Sequence, residues 1–291
     1  VILTGSDLFA DAGGAESVQI DSDGATAQVL AAGDITIGPG TGAAAATDVE
    51  INGLVQSTGA GTTIAITANG DVLFGVNGDV TRSDAGGSGL ISVFSDQFDA
   101  TSTGGVITMA DGTIINGGGG QVEVVADGRL TLGQITTTDL INAGSTAADV
   151  IDGGDTGGAD LIASSLALAG LTGVGDDADS LETQVSTLSG QTDSGDFHIV
   201  NSGDLTIDTV NLTTNVAVLL GTATADGVQI ADSGNDNSGA DNITITASSP
   251  LTINQAIANN DGGNITLTAT NDGGDNDNLS LIHISEPTRL H

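Results

Sequence analysis

The chain has no cysteine, tryptophan, tyrosine or lysine, and three prolines among 291 residues. Without cysteine there is no disulfide, thiolate metal site or cysteine nucleophile. Arginine occurs only as Arg82, Arg129 and Arg289, so binding to a nucleic-acid backbone has no electrostatic basis. A formal net charge of −35 opposes an anionic membrane surface, and no run of about 20 apolar residues could span a bilayer. Neither a nucleic-acid partner nor membrane insertion is expected. Aromatic residues amount to five phenylalanines, Phe9, Phe74, Phe94, Phe98 and Phe197. The core must therefore be built from Val, Ile, Leu and Ala, which suits thin, regular layers.

Hydrophobic residues still make up 38 % of the chain and its mean hydropathy is +0.17, so the low-hydrophobicity signature of disorder is missing despite the charge. Glycine supplies 45 residues. Of the 38 acidic residues five are glutamate (Glu16, Glu50, Glu123, Glu182, Glu286), leaving 33 aspartates, which favour turns and are depleted in strands. The charge is expected at corners. The sequence opens VILTGSDLFA, without an initiator Met or the basic and apolar stretches of a signal peptide, and reads as an internal piece of a longer protein.

A repeat organises the chain: an apolar pair, five intervening residues, and a second apolar pair, each pair alternating like a half-buried strand. Four copies are clear: Ile64/Ile66 with Val72/Phe74, Val122/Val124 with Leu130/Leu132, Phe197/Ile199 with Leu205/Ile207, and Ile243/Ile245 with Leu251/Ile253. Ala27/Val29 with Ile35/Ile37 is a weaker fifth. The intervals carry turn text such as Asn69-Gly70-Asp71, Asp127-Gly128 and Ser202-Gly203-Asp204, so each copy is strand, tight corner, strand. A two-stranded hairpin would read the same locally. The markers 35, 72, 130, 205 and 251 lie 37, 58, 75 and 46 residues apart; divided by two, three, four and two, these gaps fit a unit of roughly 20 residues. That is the size of one coil of a parallel β-helix, in which coils stack and inward residues form ladders. Outward positions are often threonine (Thr36, Thr131, Thr206, Thr252, Thr266). Between Asp160 and Gly190 the pattern loosens, leaving room for a short helix capped by Ser180 and running through Glu182 to Leu188.

The segments GVGDDADSLETQVSTLSG (173–190), SGDFHIVNSGDLTIDTV (194–210), DNITITASSPLTINQAI (241–257) and GGNITLTATNDGGD (262–275) resemble the β-strand-repeat region of filamentous-haemagglutinin-like adhesins, large exoproteins of Gram-negative bacteria. The likeness is strongest from about Gly173 to Asn278 and looser from Ala25 to Asp160. It implies an all-β, right-handed parallel β-helix, a secreted or cell-surface location, and a role in adhesion or biofilm. The partners it implies are neighbouring repeats of the same chain and a glycan or protein receptor. The secretion domain typical of that family is not visible in this text. Residues 279–289, LSLIHISEPTR, resemble instead the translation of a transposase-based sequencing adaptor. The expected organisation is a β-solenoid region over 1–278 and a non-native tail over 279–291.

Two acidic, glycine-rich stretches have the hard oxygen ligands that Ca²⁺ takes in tight loops: Asp152, Asp155 and Asp160, and Asp272, Asp275 and Asp277. Both echo the calcium nonapeptide repeat without matching it, and solvated corner acids are the plainer reading. No catalytic residues are assigned. Acid–base glycan chemistry needs carboxylates, which are too plentiful here to be informative, whereas Lys and sugar-stacking Trp or Tyr are missing. Arg82 and Arg129 sit in corner text and are expected to be exposed. His198 falls between inward Phe197 and Ile199, is expected to point outward, and has no evident partner for a triad or metal site. Threonine ranks of the ice-binding kind would need a regular two-column array. The reading is a structural or adhesive repeat region, not an enzyme; the alternative is a calcium-stabilised extracellular binding module, with a polysaccharide-active β-helix enzyme a remote third.

Overall fold

The computed structural model describes residues 2–5, 8–11, 18–20, 27–38, 48–84, 86–96, 104–154, 156, 158–212, 224–231, 240–248, 250–270 and 279–281. Among them the fold is all-β, without a helix, and every paired strand but one hairpin runs parallel to its neighbour. The strands fall into three ladders, here called sides. Side one begins Ile2–Gly5, Gln28–Ala31, Leu54–Ser57, Val80–Arg82, Ile114–Asn116 and Gln134–Thr136. Side two runs Leu8–Asp11, Ile35–Gly38, Thr63–Thr67, Leu90–Phe94, Gln121–Ala126 and Leu140–Ser145. Side three runs Val18–Ile20, Val49–Ile51, Val72–Phe74, Ile107–Met109, Leu130–Leu132 and Val150–Asp152. The long strands Leu161–Gly170 and Leu181–Thr192 then serve sides one and two together.

Alternation sends every second residue inward, and parallel register places like on like. On side two a column of aliphatic side chains, Ile35, Ile64, Ile91, Val122, Ile141, Leu166, Leu188, Ile207 and Ile253, passes through nine strands, each at most 2 % exposed. Side three stacks Val49, Val72, Ile107, Leu130, Val150, Val174, Phe197 and Ile243 in the same way. Each buried aliphatic is worth roughly 1.5–3 kcal/mol and one turn of the chain holds only a handful, so stability comes from the stack. Phe197 is wider than the aliphatics above it; its ring lies where Gly190 would carry a Cβ, which explains the glycine opposite.

The four clear repeats are inward strand pairs, as read from the sequence, but they fall into two groups. Ile64/Ile66 and Val122/Val124 lie on side two with Val72/Phe74 and Leu130/Leu132 on side three. Phe197 and Ile243 continue the column of Leu130 on side three, whereas Leu205 and Leu251 lie on side two. Between residues 130 and 205 the first pair has therefore moved from side two to side three and the second from side three to side two. The 58-residue gap from Val72 to Leu130 holds two register steps, through Ile107, and the 46-residue gap from Leu205 to Leu251 holds one. That last step is long partly because it contains the antiparallel hairpin Thr209–Asn211 with Thr224–Asp226, which buries Val210, Leu212 and Ala225 with outward Leu140 and Ala167.

Residues 181–188, where a short helix was expected, lie in the strand Leu181–Thr192: Thr183, Val185 and Leu188 are buried in register with the preceding strand, so ladder packing overrides local helix preference. Leu279–Leu281, at the start of the adaptor-like tail, pairs with Leu251–Ile253; the rest of the tail lies outside the described residues.

The corner aspartates do more than carry charge. Asp34 Oδ1 accepts the Thr63 N–H at 2.7 Å, Asp48 Oδ1 that of Asp71, Asp71 Oδ1 that of Val106 and Asp79 Oδ1 that of Ile114, each of the last three at 2.9 Å. Each joins a corner to the next layer through a charge-assisted bond, satisfying an amide that the turn would otherwise leave open.

Candidate metal centre

After strand Val150–Asp152 of side three, the chain crosses a glycine-rich corner and re-enters the ladder at Leu161. Asp152 pairs in register with Leu132, a core residue, and is itself only 7 % exposed. Its Oδ1 accepts the Gly154 N–H at 2.8 Å, while Oδ2 is buried without a hydrogen-bond partner among the described residues. Asp160, 3 % exposed, is held by its backbone from both neighbours: Ile135 N–H donates to its carbonyl at 2.6 Å, and its N–H donates to the Glu182 carbonyl at 2.9 Å. Its Oδ2 accepts the Glu182 N–H at 3.1 Å. One carboxylate oxygen from each of Asp152, Asp160 and Glu182 lies within 4.8 Å of the other two.

Burial pushes the Asp160 carboxyl up to about 8, helped by the charges of Asp152 and Glu182, while the Glu182 N–H opposes the shift. Among the described residues, Arg82 and Arg129 do not neutralise the cluster. Arg129 makes a bidentate pair with Asp149 at 2.7 and 3.0 Å. Arg82, expected to be exposed, is buried: Gly89 and Gly120 leave room for its guanidinium, and its Nη1 donates to the Gly117 carbonyl at 3.0 Å. Desolvation holds its pKa below the usual arginine range, with Asp84 acting the other way.

Of the sequence-nominated ligands, Asp152 and Asp160 are brought together, whereas Asp155, Asp272, Asp275 and Asp277 lie outside the described residues. Glu182 was not nominated. It follows Asp160 by 22 residues, and only the register of Leu161 on Thr183 shows that this distance is one layer of the stack.

A second cluster joins Asp177, Asp196 and His198. His198 is 5 % exposed, because the corner after Val174 folds over it with Gly175 against its backbone. Its Nε2 stands 3.1 Å from Asp177 Oδ1 without the alignment of a hydrogen bond. The expectation of an unpartnered outward histidine is corrected to this extent. Asp196 is already engaged by the Asn242 N–H at 2.5 Å and Asp177 is largely in solvent, so these groups form a looser set than the buried carboxylates.

Chemically, two buried aspartates and a half-buried glutamate supply hard oxygen donors and strong negative potential. Asp152 and Asp160, each less than a tenth exposed, are badly placed to reach a glycosidic bond in a polymer. A shallow groove elsewhere, lined by residues that include Thr146, Leu171, Gln191 and Asp193, carries no paired acid and base. Comparison with protein-family models, curated proteins and solved structures gave no match in any of the three.

Proposed function

We propose that the chain is part of the shaft of a large secreted or cell-surface protein, a right-handed parallel β-helix whose role is to extend and present adhesive surface rather than to catalyse. The observation that carries this reading is the continuity of the inward columns: nine strands contribute to one aliphatic ladder, and each layer contacts chiefly the layers before and after it. The shorter register steps, 18 residues from Leu181 to Ile199, 19 from Val122 to Ile141 and 20 from Leu130 to Val150, support a basic coil of roughly 20 residues, which longer corners enlarge elsewhere. The adhesin-like text at 173–275 supports the surface location, and the acidic corners keep such a shaft soluble and deter lateral sticking. Its partners on this reading are adjoining coils of the same polypeptide and a glycan or protein receptor on a host cell or other surface.

The test is surface exposure of the intact gene product. Antibody raised against residues 104–212 should label unpermeabilised cells that express the full-length gene, and external protease should remove the signal. Labelling only after permeabilisation would refute the location and, with it, the adhesive role.

A further inference from the structure

We propose that Asp152, Asp160 and Glu182 bind one Ca²⁺ ion that pins successive layers of the stack together at the corner between sides three and one. The inference does not depend on the adhesive reading: it concerns three side chains and would hold for a β-solenoid of any role.

Two independent observations carry it. The first is convergence, since one carboxylate oxygen from each residue lies within 4.8 Å of the other two although 30 residues of sequence separate the outermost pair. Two ligands on opposite sides of a Ca²⁺ ion at about 2.4 Å are about 4.8 Å apart, so three oxygens within that limit can share one ion. The second is Asp152 Oδ2, an unpartnered oxygen on a side chain more than nine-tenths buried, within the cluster. A buried carboxylate oxygen without a donor is costly to retain unless something satisfies it. Among the described residues no Lys or Arg does so: the chain has no lysine, and Arg82 and Arg129 are committed to Gly117 and Asp149. Asp152 also breaks the local rule of its own column, following Leu132 where an aliphatic residue would pack, and such breaches concentrate at functional sites.

The donor set selects the ion. Carboxylate oxygens without nitrogen or sulfur favour hard cations, and an irregular cluster on two strands and a glycine-rich corner suits the flexible coordination of Ca²⁺ better than the strict octahedron and tightly held water of Mg²⁺. The Asp177–Asp196–His198 cluster offers an imidazole and a solvent-exposed carboxylate and serves as the internal control.

The test is calorimetric titration of the whole, metal-stripped chain with CaCl₂ in 150 mM NaCl at pH 8, where exposed charges are screened beyond about 8 Å, together with melting in EDTA and in excess Ca²⁺. One saturable equivalent is expected with a Kd below about 0.1 mM, along with a melting-temperature rise of several degrees that equimolar MgCl₂ does not reproduce. Asp152→Asn should weaken binding at least tenfold while melting in EDTA no lower than the parent, because it removes a buried charge; Glu182→Gln, at a half-buried position, should do the same if Asp152→Asn fails to fold. Asp177→Asn should bind as the parent does. Heat that never saturates, equal stabilisation by Mg²⁺, or unchanged binding in both cluster variants would overturn the proposal.

Discussion

In EDTA the protein is expected to melt at a higher temperature at pH 5 than at pH 8, against the habit of proteins whose carboxylates are salt-bridged. Two buried acids set this direction. Glu123 lies on side two in register with Ser92 and Asn142, is 3 % exposed, and leaves its Oε1 without a partner among the described residues; burial pushes its carboxyl up to about 7. Asp160 is pushed up to about 8, first by burial and then by Asp152. In the unfolded chain both lose their protons near pH 4. Between that pH and the folded values the native state holds protons that the unfolded state has released, so stability is greatest below about pH 4.5 from these groups and declines as pH rises through 7 and 8. At 1.36 kcal/mol per unit, Glu123 alone accounts for on the order of 3 kcal/mol over this range. Glu123→Gln separates it from the general repulsion of the corner aspartates. The variant should gain little at pH 5 and melt several degrees above the parent at pH 8; a difference independent of pH would remove Glu123 from the account.

The second large effect is expected at the centre of the side-two column. Ile141 is fully buried between Val122 and Leu166 and has stacked neighbours on both sides. Ile141→Ala should reduce stability by roughly 2–5 kcal/mol. Ile141→Asp, which places an unpaired charge in the same slot, should go further and abolish the cooperative urea transition of the stack. The comparison is Ile265→Asp. Ile265 continues the side-three column on the last long strand, yet among the described residues it is 43 % exposed, and the change there should move the urea midpoint only slightly. Equal sensitivity at Ile141 and Ile265 would contradict a core that grows by stacking.

Much of this architecture was legible because it depends on local rules. Alternation in Ile64-Ala65-Ile66 and Leu130-Thr131-Leu132 marks strands with one buried face, and Asn-Gly-Asp text marks corners. What stayed hidden depends on register. The change of sides of the repeat between Leu130 and Leu205 is invisible in spacing, since corner length and layer number trade against each other in any gap. The hairpin after Ile207 lengthens one layer and imitates two. Arg82 looks like a corner charge until Gly89 and Gly120 are seen to leave room for its guanidinium. The candidate metal centre was half legible: Asp152 and Asp160 share one acidic, glycine-rich stretch, whereas Glu182 sits in text that favours a helix and joins them only through the pairing of Leu161 with Thr183.

The lack of cysteine makes the central claim, that each strand–corner–strand unit stacks in parallel on the next layer, directly measurable. Two double variants share Thr252→Cys. Thr206 is its partner in the next layer, 46 residues away and in register through Leu205–Leu251. Thr244 would instead be its cross-strand neighbour if Ile243–Ser248 and Leu251–Ile253 folded back as a hairpin, the alternative that the repeat alone leaves open. A disulfide needs Cβ atoms about 3.5–4.5 Å apart, so mild oxidation reports which pair is adjacent. The stacked arrangement predicts rapid crosslinking of the Thr206→Cys/Thr252→Cys chain and none in Thr244→Cys/Thr252→Cys; the reverse result would contradict it.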